Sequence, residues 1–263
     1  MLRGRGNWTR RSTIVDEVVV TRKIILLAGA LFSFLLSSTA IAAVAIPGPQ
    51  RLLAPGLFGF EEISQNVFVP ATMDMSDQQR VVKIVTEAEG RVSSYFGAAV
   101  PRPTIVVCPD DTCNAVFGQQ NARGVAYGKR AIRLNKKGIN TTIASHELTH
   151  TALKGHVGEW RTFFGAVPAW FDEGLAVFVS RDDRFTSKVP EHILRAIQSQ
   201  SHWRDWNGLT LQHGWRQVYG GSLMMVAQLD AAIGQEGILQ ILDEVADGVP
   251  FDEALSAATT TTD

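Results

Sequence analysis

The stretch Ser145-His146-Glu147-Leu148-Thr149-His150 decides how the rest of this chain is read. Residues four apart share one helix face, so His146 and His150 can both reach a single ion. Glu147 then projects beside that ion, where a water activated by zinc would sit. The surrounding residues predict a helix over 141–153. Asn140 or Thr141 can cap it, and Ile143, Ala144, Leu148 and Leu153 supply its packing face.

A catalytic zinc needs a third protein ligand and one open position. Two residues compete for the third place. Glu173 lies in Pro168-Ala169-Trp170-Phe171-Asp172-Glu173-Gly174-Leu175-Ala176, where Pro168 can start a helix that faces the first. His156 follows His146 by ten residues, the metzincin spacing, but that arrangement needs a glycine at 153 to leave the helix in a left-handed turn. This chain has Leu153, with Gly155 two places late.

The zinc helix followed by Pro168-x-Trp170-Phe171-x-Glu173-Gly174-x-Ala176 resembles the gluzincin metallopeptidases, the peptidase MA-like domains related to thermolysin and the aminopeptidase N group. The resemblance runs loosely from about Ser76 to Leu255 and is tight at 145–150 and 168–180. The hairpin from Arg123 to Leu134 also resembles the family's edge strand. The resemblance implies a zincin-like fold and the hydrolysis of peptide bonds. His146, His150 and Glu173 would bind one Zn2+, with Glu147 as general base. It further implies Tyr219, in Val218-Tyr219-Gly220-Gly221-Ser222, as an oxyanion donor; the other reading of Tyr219 is a core residue with its hydroxyl at the surface. His213 is a weaker candidate for the same role.

The family pattern is not matched everywhere. Thermolysin-like enzymes place an aspartate four residues after the third ligand to hold a histidine, and here that position is Val177. Asp172 could orient a ligand histidine instead, or could be an exposed acid. No Gly-x-Met-Glu-Asn segment or large N-terminal β-domain is present, which favours an endopeptidase over an aminopeptidase. An extended peptide would then bind beside the 130–134 strand by β-augmentation. The competing function is a catalytically inactive zinc-binding domain that recognises peptides or proteins of the cell envelope.

Outward from the motif, the periodicity predicts an α+β fold with a strand-containing N-terminal half, a helical C-terminal half and the zinc cleft between them. Asn66–Val69 and Thr104–Cys108 read as strands, and Val125–Tyr127 with Ala131–Leu134 as a hairpin through Gly128-Lys129. A helix opens at Ser76, with Gln79 completing a capping box, and stops at Gly97. Later helices are expected at 169–180, 190–199, 215–233 and 236–246, with a short one from Asp252. Trp170 and Phe171 are expected to pack the second ligand helix on the first. His192, His202, Trp203, Trp206 and Trp215 are assigned to surface and core. Residues 47–65, rich in proline and glycine, read as a linker, 66–258 as the peptidase domain and 259–263 as a tail.

The N-terminus carries a different signal. Residues 1–45 hold six basic and two acidic side chains, which leaves 19 basic and 24 acidic for the body, a charge of −5. That balance provides no footprint for nucleic acid. Residues 1–23 read as a cytoplasmic basic leader. Ile24–Ile46 is a 23-residue uncharged run, long enough to span a bilayer. It is either a membrane anchor or a signal peptide cleaved after Ala40-Ile41-Ala42 or Ala43-Val44-Ala45. Both readings export the body; the resemblance implies a peptide or protein as its partner. Cys108 and Cys113 can form a local disulfide in that compartment or remain as two thiols.

Overall fold

The computed structural model describes residues 48–97, 100–118, 121–185, 188–200 and 202–260. The leader, the apolar run and its cleavage sites lie outside the described residues, as do the last three residues of the tail. Residues Pro47–Asp263 form one compact unit. Its architecture is mixed α+β, with a small sheet and a predominantly helical C-terminal portion.

The sheet contains strands β1 (Phe60–Ser64), β2 (Val67–Pro70), β3 (Thr104–Val107), β4 (Gly124–Tyr127) and β5 (Ala131–Leu134), in the order β1-β2-β3-β5-β4. The β2–β3 and β3–β5 pairs are parallel, with Ile105 opposite both Val67 and Ile132; the outer two pairs are antiparallel. Side chains alternate between faces, and here both faces are covered. Val67, Val69, Ile105, Val107, Ile132 and Leu134 join the main core, whereas Phe60, Val106, Cys108 and Ala131 join a smaller one with Leu52 and Phe117. A central strand buried on both faces reads as an unbroken apolar run, as Ile105-Val106-Val107 does.

That second face corrects the linker reading. Residues 48–64 form two short 3-10 turns, Gly48–Leu53 and Pro55–Phe58, and then β1. Leu52 is fully buried in the smaller core, beside Phe60 and Phe117. Proline and glycine punctuate this stretch, but its apolar residues cap the sheet. Cys108 and Cys113 form a disulfide in the same layer. Arg133, whose side chain shares that face of β5, is fully buried and none of its guanidinium nitrogens has a hydrogen-bond partner among the described residues.

Helix α1 (Met75–Phe96) lays Val81, Val85, Ala88 and Val92 on the main core and ends at Gly97 in a positive-φ conformation. Its cap is Asp74 rather than Ser76. The Asp74 carboxylate accepts from the Asp77 N–H at 2.9 Å, and Ser76 Oγ donates to that carboxylate. An anion at this position also suits the helix dipole.

The remaining helices among the described residues are α2 (Asp111–Val116), α3 (Thr141–Val157), α4 (Glu159–Phe163), α5 (Ala169–Ser180), α6 (Glu191–Gln198), α7 (Trp203–His213), α8 (Trp215–Asp247) and α9 (Phe251–Thr260). The break expected between 233 and 236 is Gly234, at φ 70° inside α8. Helix α9 runs to Thr260, so the tail begins later than 259. Helices α2, α4 and α7 had no clear apolar period in the sequence. None of the described helices is long and apolar enough to cross a membrane.

Candidate metal centre

Asn140 starts α3, its side-chain oxygen accepting from the Ile143 N–H at 2.9 Å. The helix is buried from Ile143 to Leu153, which holds both histidine rings in fixed positions. His146 and His150 lie one turn apart with Nε2 atoms 3.2 Å from one another. Glu173 comes from α5, whose N-cap is Pro168. Its Oε2 lies 3.4 Å from His146 Nε2 and 3.6 Å from His150 Nε2.

The packing of α5 sets that approach. Trp170 and Phe171 are buried and meet Phe251 of α9 edge-on, so the ring contacts that anchor this helix run to the C-terminal helix. Gly174 lies against α8, where an added Cβ would come 2.4 Å from the Ser222 carbonyl oxygen. The glycine after Glu173 therefore permits close approach of two helices, and any larger side chain would push the ligand helix away.

Electrostatics converge on the same point. Burial opposes a charge on His150, but the Asp172 and Glu173 carboxylates outweigh it and push the imidazole pKa up to about 10. Burial likewise opposes the Glu173 anion, yet the His150 charge and the nearness of both imidazoles hold its carboxyl well below the usual range. Glu173 Oε2 is buried with no conventional hydrogen-bond partner. Two imidazole nitrogens and a carboxylate oxygen thus crowd one buried point, a grouping that a bound cation would satisfy. His146, His150 and Glu173 could hold a metal ion.

Asp172 supplies an outer contact. The His150 Nδ1–H donates to its Oδ1 at 2.6 Å, so that Nε2 is the ring nitrogen that faces the cluster. The oriented histidine is thus served by the residue just before Glu173, in place of the position occupied by Val177. His146 Nδ1 is buried with no such partner, so only one of the two imidazoles is fixed by a side chain.

His156 lies elsewhere. Its Nε2 bonds Asp243 at 2.7 Å, and it is not a member of the cluster. His213 pairs loosely with the His192 ring and does not line the cavities around the cluster.

The cluster opens into a cleft between β4 and the helices. One lobe, about 760 Å³, is lined by His146, Glu147, His150 and Glu173 together with β4, Phe163, Trp203 and Trp206. A second lobe, about 430 Å³, shares His146, Glu147, Gly124 and Tyr219 with the first. The sheet order corrects the expected docking strand. Strand β5 is paired on both sides, by β3 and β4, so 130–134 offers no free edge; β4 is the edge that borders the cleft.

Glu147 occupies the cleft wall against Gly124, where an added Cβ would lie 2.5 Å from its Cγ and 2.7 Å from its Oε1. Tyr219 lines both lobes, its ring stacked on Phe185 at 5.4 Å and 6.3 Å from the His146 ring. Burial raises its phenol pKa strongly and the Glu173 charge adds to this, so the hydroxyl stays protonated and able to donate. Trp203 and Trp206, assigned from sequence to surface and core, form part of the cleft wall. Their signal was hidden because α7 shows no period that separates a core face from a cleft face. Among known proteins, no family model matches the chain and no curated sequence matches it.

Proposed function

We propose that this chain is a zinc-dependent metallopeptidase of the gluzincin type, with a zincin-like fold and endopeptidase activity. The observation that carries this reading is the triangle of His146 Nε2, His150 Nε2 and Glu173 Oε2, with sides of 3.2, 3.4 and 3.6 Å. Tetrahedral ligands at zinc bond lengths of about 2.0–2.1 Å stand about 3.3–3.4 Å apart, and two histidines with one glutamate are a known catalytic set.

Zinc bound there would supply Lewis acidity, polarising a carbonyl and acidifying water near neutral pH. Glu147, beside His146 and open to both lobes, takes a proton from the attacking water on its carboxylate and returns it to the departing amine. Tyr219 keeps its proton and donates to the oxygen of the attacked carbonyl as charge develops there. Asp172 holds His150 in its ligand tautomer. The β4 edge aligns an extended peptide by backbone pairing. Residues 24–46 direct this domain out of the cytoplasm, as an anchor or as a cleaved signal.

The test is Glu147→Gln in zinc-loaded protein against a broad peptide library. The expected result is retained zinc with hydrolysis reduced by about 100-fold or more. A zinc-loaded wild type that cleaves no peptide would instead support the inactive binding domain.

A further inference from the structure

The second lobe of the cleft differs in chemistry from the first. Asn121, Arg123 and Arg184 line it together with Phe185, Trp215 and Tyr219. Resting on the peptidase reading above, we infer that this lobe recognises a carboxylate of the peptide substrate.

The fold fixes the backbone of Arg123 and the guanidinium of Arg184. The backbone at the entrance to β4 is clamped by Asn135, whose N–H donates to the Arg123 carbonyl at 2.9 Å and whose Nδ2 donates to the Ala122 carbonyl at 2.8 Å. Gly138 approaches so closely that an added Cβ would lie 2.0 Å from the Arg123 oxygen. The Arg123 side chain therefore projects from a fixed point at the lip of the lobe, and it has no ion pair among the described residues.

Arg184 stands on the other wall. The buried Asp182 carboxylate accepts from its Nε at 2.7 Å and also from Nη2, while the guanidinium stacks over Phe185 at 5.1 Å and Trp215 at 5.9 Å. Nη1 makes no hydrogen bond among the described residues. Arg184 thus presents a fixed donor and Arg123 a free charge.

Among the described residues one acid, Glu147, lines the lobe, and it lies against Gly124. Asp182 is committed to Arg184, and Glu147 is assigned to proton transfer. Planar guanidinium donors match a carboxylate better than any other group a peptide carries. The carboxylate can come from the C-terminus of a short substrate or from an aspartate or glutamate side chain near the scissile bond.

Three labelled hexapeptide pools separate these sources. One has a free C-terminus; one has an amidated C-terminus and glutamine at a fixed position; one is amidated with glutamate at that position. Binding to zinc-loaded full-chain Glu147→Gln is read by fluorescence anisotropy, so cleavage is not required for a result. One carboxylate pool is expected to bind about 10- to 100-fold tighter than the amidated glutamine pool. That preference should fall toward unity in the Arg123→Gln and Arg184→Lys backgrounds. Equal binding of all three pools, or a preference that survives Arg123→Gln, overturns the inference; Arg123 is exposed, so that variant is informative even if Arg184→Lys fails to fold. A retained preference alongside a wild type that cleaves nothing would instead sink the peptidase reading alone.

Discussion

Asp172 accepts the Nδ1–H of His150 at 2.6 Å, one residue ahead of the carboxylate that faces the same histidine from its other side. A single turn of α5 thus supplies both a contact to the cluster and a contact that orients one of its imidazoles. The pairing gives Asp172 a measurable role. Replacing it with Asn should weaken zinc binding by about 10- to 100-fold with the fold intact. Competition with a chromophoric chelator reads this, and unchanged affinity would remove Asp172 from the site.

Arg133 carries a different expectation. Its guanidinium is fully buried in the smaller core with no hydrogen-bond partner among the described residues, beside Val106 on β3 and Val125 on β4 in the strand register. A buried charge without a partner costs free energy that an apolar side chain of similar size would not. Arg133→Met should therefore raise stability, by about 1 kcal/mol or more in urea unfolding. A loss of stability would mean that the guanidinium has a partner in solution.

The Asp182–Arg184 pair predicts an acid limit. Burial pushes the Asp182 carboxyl up, but the bonds and charge of Arg184 outweigh it and hold it below the usual 3.8. A carboxylate with a depressed folded pKa contributes stability that is fully present above its unfolded value and is lost as pH falls through the folded one. Arg184→Gln should therefore cost about 1–3 kcal/mol at pH 7, and the gap from wild type should close below pH ~3.8. Parallel urea melts between pH 3 and 7 measure this; a gap independent of pH would contradict it.

Much of the centre was legible because helix geometry is local. His146, Glu147 and His150 are constrained by spacing within one helix, and the structure keeps all three on the cleft wall. Glu173 lies on another helix, and the family resemblance, with Leu153 where a metzincin turn needs glycine, ranks it above His156. The structure brings Glu173 to the cluster and pairs His156 with Asp243. Pairwise strand order is non-local, so the edge was misassigned to 130–134 although the hairpin itself was read correctly. The linker reading failed because proline and glycine mark turns without revealing that Leu52 between them is buried. Arg123 and Arg184 were not singled out, since nothing in sequence brings residues 61 positions apart to one lobe.

The most direct test of the metal centre is metal analysis of zinc-exposed, extensively dialysed protein, with zinc-edge anomalous diffraction to locate the ion. The account predicts one zinc per wild-type chain within about 2.0–2.2 Å of His146, His150 and Glu173, and its loss in His150→Ala and Glu173→Ala. A wild-type chain that retains no zinc, or holds it on other side chains, would contradict the account.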